Sequence, residues 1–260
     1  MAHQRTLQAL CSVLQQCAHL GWRCRRYLCA PEKTSGKTQT QKNRREGLVR
    51  CHRHNPRGFF IVVEGIDGTG KTTLARNIYH RLENKGFPAI FTFEPTDGLW
   101  GRMLRRSFSA PGRLTPEEEL ELFLKDRKDH VEKIIRPSLE QKKIVVCDRY
   151  YFSTMAYQGA RGLDPEAIRK TNETFAPMPD LVLLLELDPE AAIRRIRENR
   201  GELPDNFEQL EYLKKVAGVF KSLSASFVAR IDAALPQEKL LNSAWDRISD
   251  LLGNTCFPVL

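Results

Sequence analysis

The chain has 260 residues, enough for one sizeable core or for one domain with a tail, and a formal net charge of +9. That charge belongs to the first 57 residues, where 12 Lys and Arg face only Glu32 and Glu46; the remainder holds 29 basic and 30 acidic residues, so the basic pI is no argument that the body binds nucleic acid. No apolar run approaches the length of a membrane span, and no C-x-x-C pair supports a zinc site.

The first 57 residues read as a basic extension and residues 58–260 as the folded domain. Residues 6–28 carry an apolar periodicity (Leu7, Leu10, Leu14, Cys17) with Arg23, Arg25 and Arg26 and no acid before Glu32, which is compatible with an organellar targeting peptide. Residues 31–57 are polar, basic and nearly free of large apolar side chains, a composition expected to stay disordered. An upstream translation start, a tail without function and a nucleic-acid-binding arm compete with targeting. The cytoplasm is the expected location, with an organelle as the lesser reading. Five of the seven cysteines, Cys11, Cys17, Cys24, Cys29 and Cys51, lie in the extension; the body keeps only Cys147 and Cys256, which suits a reducing compartment. Cys51-His-Arg-His54 offers weak support for a metal cluster.

Phe59 to Val63 is a short apolar run, as expected of a buried parallel strand. Gly65-Ile-Asp-Gly-Thr-Gly-Lys-Thr72 follows and fits G-x-x-x-x-G-K-[ST], the phosphate-binding loop of nucleotide triphosphate proteins. From Lys71 to Asn84, Leu74, Ile78 and Leu82 repeat at helical spacing. Strand, glycine-rich loop and helix therefore come in the required order. Glycine lets backbone amides approach oxygen closely, so Gly65, Ile66, Asp67, Gly68, Thr69, Gly70, Lys71, Thr72 and Thr73 are expected to hold ATP. Lys71 can reach the β and γ oxygens, and the Thr72 hydroxyl can ligate Mg²⁺. The alternative is a plain glycine turn entering a helix.

Ala89 to Phe93 reads as a second strand, ending at Glu94-Pro95, after which residues 96–106 turn into a basic segment. Thr115-Pro-Glu-Glu118 is a helix start, and Pro137 is expected to end that helix near Arg136. Phe123 and Arg127 share a face on it, either as a platform for a planar base or as a core residue beside an ion pair. Lys143 to Cys147 reads as a third buried strand ending in Asp148-Arg149. The carboxylate stands where a Walker-B acid would face Mg²⁺, and Arg149 is left between a second phosphate and a surface ion pair. A helix from Asp164-Pro165 closes at Pro177-Met-Pro179. Leu181 to Leu187 is the fourth strand. A helix capped by Asp188 then ends in Arg194-Arg195-Ile-Arg197-Glu-Asn-Arg200, which suits either charge neutralisation or a solvated face. A helix over Phe207–Leu223, a last strand at Lys239–Leu241 and a helix over Trp245–Leu252 complete an α/β chain with a doubly wound, five-stranded parallel sheet.

From Phe59 to about Leu252 the chain resembles thymidylate kinases of the bacterial type, most specifically in Asp148-Arg-Tyr-Tyr-Phe-Ser-Thr-Met-Ala-Tyr-Gln-Gly159. The resemblance implies a three-layer P-loop fold with a helical lid and phosphoryl transfer from ATP to dTMP with Mg²⁺. It also implies a homodimer. Asp67 would hold the sugar 3′-hydroxyl, Phe123 would stack on thymine and Arg127 would hydrogen-bond the base. Arg149 would grip the acceptor phosphate, while Ser153, Thr154, Tyr157 and Gln158 line base and sugar, with Tyr157 excluding ribonucleotides. Glu94 and Pro95 would close one side of the pocket, and Asp148 with Thr72 would serve the metal. The loop has no arginine before Lys71, so Arg197 or Arg200 in the lid would be catalytic beside Lys71 and Arg149. Phe93 stands where relatives carry arginine before E-P, and Asn206 where they often carry arginine after Asp205. The alternatives are another pyrimidine monophosphate (UMP, CMP or dCMP) as acceptor, or a P-loop protein that binds nucleic acid through the extension.

Overall fold

Strands whose residues are apolar without a break must be covered on both faces, and the fold obeys that requirement. The computed structural model describes residues 57–109, 112–200 and 206–253. The readings of the extension concern residues outside them. Five parallel strands form one sheet in the order β2-β3-β1-β4-β5, with β1 Phe60–Gly65, β2 Ala89–Phe93, β3 Ile144–Asp148, β4 Leu181–Glu186 and β5 Val228–Asp232. The central strands β1 and β3 are buried throughout, and β4 at all but its last residue, whereas β2 and β5 at the edges are half exposed.

Period-two alternation divides the core between two faces. Phe60, Val62, Val145, Cys147, Val182 and Leu184 belong to one cluster with Val131, Ile135, Tyr151, Met155, Val216 and Phe220 from the helices. Their neighbours Ile61, Val63, Val146, Leu183 and Leu185 are as deeply buried and face the other way. Helix α1 (Lys71–Asn84) packs on β1, β2 and β3 and touches α9 (Gln237–Gly253). The remaining helices are α2 (Leu99–Ser109), α3 (Pro116–His130), α4 (Arg136–Glu140), α5 (Tyr151–Gly159), α6 (Pro165–Glu173), α7 (Pro189–Arg200) and α8 (Asn206–Ser222).

Local chemistry starts several of these helices where the sequence indicates. Thr115 Oγ1 accepts from Glu118 N at 3.2 Å while Glu118 Oε2 accepts from Thr115 N at 2.9 Å, a reciprocal box at the head of α3. Asp164 caps α6 and Asp188 caps α7 through their Oδ1 atoms. Four expectations need correction. Lys239–Leu241 is helical, because Leu240, Ala244, Ile248 and Leu252 bury one face of α9. The fifth strand is Val228–Asp232, an edge strand that buries only Ile231 and so shows little apolar signal. Pro137 does not end the helix. A π-helical turn over Val131–Ile135, in which Arg136 N–H donates to Val131 O, carries the axis into α4 and absorbs the proline within its first turn. Residues 99–109 form a helix where a turn into a basic segment was expected, and the helix over Tyr151–Gly159 had no local start signal.

Candidate active site

In a parallel sheet the strand ends collect on one edge, and β1, β2 and β3 deliver Gly65, Phe93 and Asp148 there. The loop after β1 is packed so closely that a Cβ at Gly65 would lie 2.5 Å from Leu185 O, and one at Gly68 2.5 Å from Ala192 O. Both glycines also have positive φ, so both positions require glycine. Thr69 Oγ1 donates to Ile66 O at 2.8 Å, and Lys71 Nζ reaches the same carbonyl at 2.6 Å. Lys71 is buried; burial, and then the charge of Arg149, bring its ammonium down to about 8. Thr72 and Thr73 are exposed in the first turn of α1. Thr72 Oγ1 donates to Asp148 Oδ2 at 2.5 Å, while the buried Asp148 Oδ1 has no hydrogen-bond partner.

Arg149 leaves β3 with φ +70°, a left-handed backbone that costs a non-glycine residue energy and persists where surrounding contacts impose it. Its amide continues the strand pairing by donating to Val63 O at 3.0 Å. The guanidinium pairs with Asp67, donates to Ser153 Oγ at 3.3 Å and lies 5.4 Å from the centre of the Tyr157 ring. Burial alone would raise the Asp67 carboxyl, but Arg149 and Lys71 outweigh it and hold the group well below the usual carboxylate range. Lys71 Nζ stands 3.9 Å from Asp67 Oδ1, so one carboxylate lies between two cations.

Beyond Arg149 the site is lined by a buried polar network. Glu94 Oε2 accepts from Arg127 Nε at 2.8 Å and Nη2 at 2.5 Å. Arg127 also donates to Asn172 Oδ1 at 2.7 Å and Thr154 Oγ1 at 3.0 Å. His130 Nδ1 lies 2.9 Å from Glu94 Oε1, and its Nε2 2.6 Å from Thr92 Oγ1. A neutral imidazole that donates from Nδ1 and accepts at Nε2 satisfies both contacts. Phe123 is half-buried and outside the core cluster, its ring 6.4 Å from that of Phe108. Pro95 O accepts from Arg105 Nη1 at 2.6 Å. Gln158 Nε2 donates to Glu119 Oε2 at 3.0 Å, and its own Oε1 is buried without a partner.

The profile of the thymidylate kinase family matches residues 63–244. The chain belongs to the thymidylate kinase family. It is 47% identical over 180 residues to a thymidylate kinase of Desulfotalea psychrophila, covering 69% of this chain and 88% of the relative. It is 50% identical over 184 residues to one of Akkermansia muciniphila, covering 71% and 88%. A relative from Brachyspira hyodysenteriae is 41% identical over 194 residues, covering 75% and 95%.

Membership of the thymidylate kinase family makes the chain a phosphotransferase that acts on nucleotides with ATP as co-substrate, on a P-loop NTPase fold. Among the described residues no helix is long and apolar enough to cross a membrane. The structure brings Asp67, Lys71, Arg149, Ser153 and Tyr157 to one place, and joins Glu94, Arg127 and Thr154 in a second cluster. Arg197 is exposed on α7, and the Arg200 side chain lies outside the described residues. Several site residues escaped sequence reasoning: Glu64, Thr92, Glu119, His130 and Asn172, all buried and hydrogen-bonded to an expected site residue or its network. For Glu64 a signal existed, an acid inside an otherwise apolar strand directly before the P-loop. For His130 and Asn172 there was none, because their partners are distant in sequence.

Proposed function

We propose that this chain transfers the γ-phosphoryl group of ATP to dTMP, giving ADP and dTDP on the way to dTTP. The observation that carries the reading is the row of charges Lys71, Asp67 and Arg149, which spans the P-loop and the start of α5. On this reading residues 65–73 cradle the ATP phosphates, with Lys71 on the β and γ oxygens. Arg149 receives the acceptor phosphate, which competes with Asp67 for the guanidinium and frees that carboxylate for the sugar 3′-hydroxyl. Phe123 stacks on the base. Arg127 has five N–H groups and makes four contacts within the protein, which leaves one, on Nη1, for a base carbonyl. Glu94 and Pro95 form one wall, and Ser153, Thr154, Tyr157 and Gln158 line base and sugar.

The donor set suits magnesium: Asp148 Oδ1 is a buried acceptor in need of a partner, beside the Thr72 hydroxyl. Mg²⁺ held there would offset charge on the β and γ phosphates. The acceptor is itself an anion, so no strong general base is needed; positioning and charge neutralisation lower the barrier. Residues 65–72 contain no arginine, so the last cation comes from Arg197 or Arg200. Both are residues of α7, whose Ala192 packs against Gly68 of the loop, and their backbone positions lie about 7.5 and 12 Å along the axis from that contact. The kinase domain spans residues 58–260 behind a basic extension, and we take the active form to be a cytoplasmic homodimer. The deciding experiment is ADP release with a panel of monophosphates. Turnover fastest with dTMP supports the proposal. No turnover with dTMP, ATP and magnesium, or faster turnover with UMP, CMP or dCMP, overturns it.

A further inference from the structure

Helix α5 carries four of the residues assigned to dTMP, yet its N-cap, Tyr150, provides no side-chain cap. A helix start leaves backbone N–H groups without intrahelical partners, and inside a protein each must find one. Here a partner comes from a strand, although Ser153 N also reaches Tyr150 O at 3.1 Å within the turn. Glu64 Oε1 accepts from Tyr150 N at 2.8 Å and Ser153 N at 3.0 Å, and Glu64 Oε2 accepts from Ser153 Oγ at 2.6 Å. Those donors are the N-cap amide, the amide three residues on and the hydroxyl beside it. Glu64 is fully buried and stands one residue before the P-loop.

We propose that Glu64 is a positioning residue for the acceptor: by capping α5 across the sheet it holds the Arg149 turn and the residues of α5 in register with the P-loop. The inference rests on the dTMP kinase reading above. Arg149 is the point where alignment matters most, since its backbone is left-handed and its flanks are pinned on both sides. On one side its own amide donates to Val63 O, next to Glu64 in β1; on the other, Tyr150 N donates to the Glu64 carboxylate itself. Without the cap, the energetic preference of Arg149 for ordinary backbone favours release of the turn. Burial raises the Glu64 carboxyl to about 7, against the bonds from Ser153 and Tyr150 and the charge of Arg149. Such a group is costly to keep in a core, and simple stability does not explain its presence.

The test compares Glu64→Ala and Glu64→Gln with the full-length chain. Glutamine keeps an amide oxygen able to accept from both Tyr150 N and Ser153 N, whereas alanine removes the cap. Loss of a cap corresponds to roughly a tenfold change in an equilibrium. E64A is expected to raise KM for dTMP, and Kd by calorimetry, about tenfold or more, with KM for ATP within about twofold and E64Q within about threefold of wild type on all three. Equal changes toward both nucleotides, or dTMP affinity unchanged in E64A, would overturn the inference. If E64A does not fold, E64Q decides together with Glu64→Asp, whose shorter arm should fail to span the cap and weaken dTMP alone; unchanged dTMP affinity in E64D then overturns it. A wild-type chain that binds no dTMP sinks the functional reading instead, so the two failures are distinguishable.

Discussion

The two halves of the site are built by different means. The half proposed for ATP is nine consecutive residues that would bind mostly through backbone amides, positioned by a strand, a helix and two glycines against Leu185 O and Ala192 O. The half proposed for dTMP is assembled from side chains on α3, α5, α6 and the residue after β2, with Glu94, Thr154 and Asn172 each accepting from Arg127 in the interior. A backbone cradle tolerates little beyond its glycines but depends on few distant contacts. A buried ionic network needs every member, because removing one partner strands a charge where water cannot reach it. Chemistry should therefore be most sensitive to single changes in the first half and stability in the second.

The largest effect is expected at Lys71. K71A should lower kcat by roughly 10³-fold while dTMP binding, measured by calorimetry, changes little. Retained kcat would break the assignment of the ATP half. Next come the arginines of α7: Arg200→Ala and Arg197→Ala should differ strongly in kcat, the catalytic one losing roughly 10³-fold. Equal, small losses would mean that the neutralising cation lies elsewhere.

The same contrast explains what could be read before the structure. The P-loop was legible because its chemistry is contiguous: Gly65 to Thr72 is at once motif, turn and helix start. The buried strands β1, β3 and β4 were legible from unbroken apolar runs, whereas β5 was missed because an edge strand that buries Ile231 alone has little hydrophobic signature. The residue pattern left Arg127 open between a base contact and an ion pair; the structure gives it Glu94, 33 positions away, which no local spacing could reveal. The start of α5 was invisible for the same reason, its cap being 86 positions upstream in Glu64. Long-range polar contacts carry no periodicity.

The network in the dTMP half sets the third expectation. Glu94→Ala leaves Arg127 buried without its carboxylate and should cost about 3–5 kcal/mol, which for a domain of this size corresponds to a fall in Tm of roughly 6–20 °C. Replacing Arg127 by Met in the same background should restore part of that loss. If the double variant melts as low as the single one, the ion pair is not what E94A breaks.

The smallest expected effect separates the two halves by pH. Glu64 titrates near its ordinary 4.5 when unfolded and near 7 in the fold, so between those values the folded chain retains a proton that the unfolded chain gives up. Its contribution to stability is complete below pH 4.5 and disappears as pH rises through 7. Lys71, near 10.5 unfolded and 8 folded, acts in a separate window: there the unfolded chain holds the extra proton, so stability rises from pH 8 to 10.5. Glu64→Gln cannot ionise. Its Tm relative to wild type should climb by several degrees between pH 5 and 8; above pH 8 the comparison also carries Lys71, on which the Glu64 charge acts. A Tm difference that stays constant from pH 5 to 8 would show that Glu64 is ionised throughout, held by Arg149 and its three hydrogen bonds more strongly than burial opposes them.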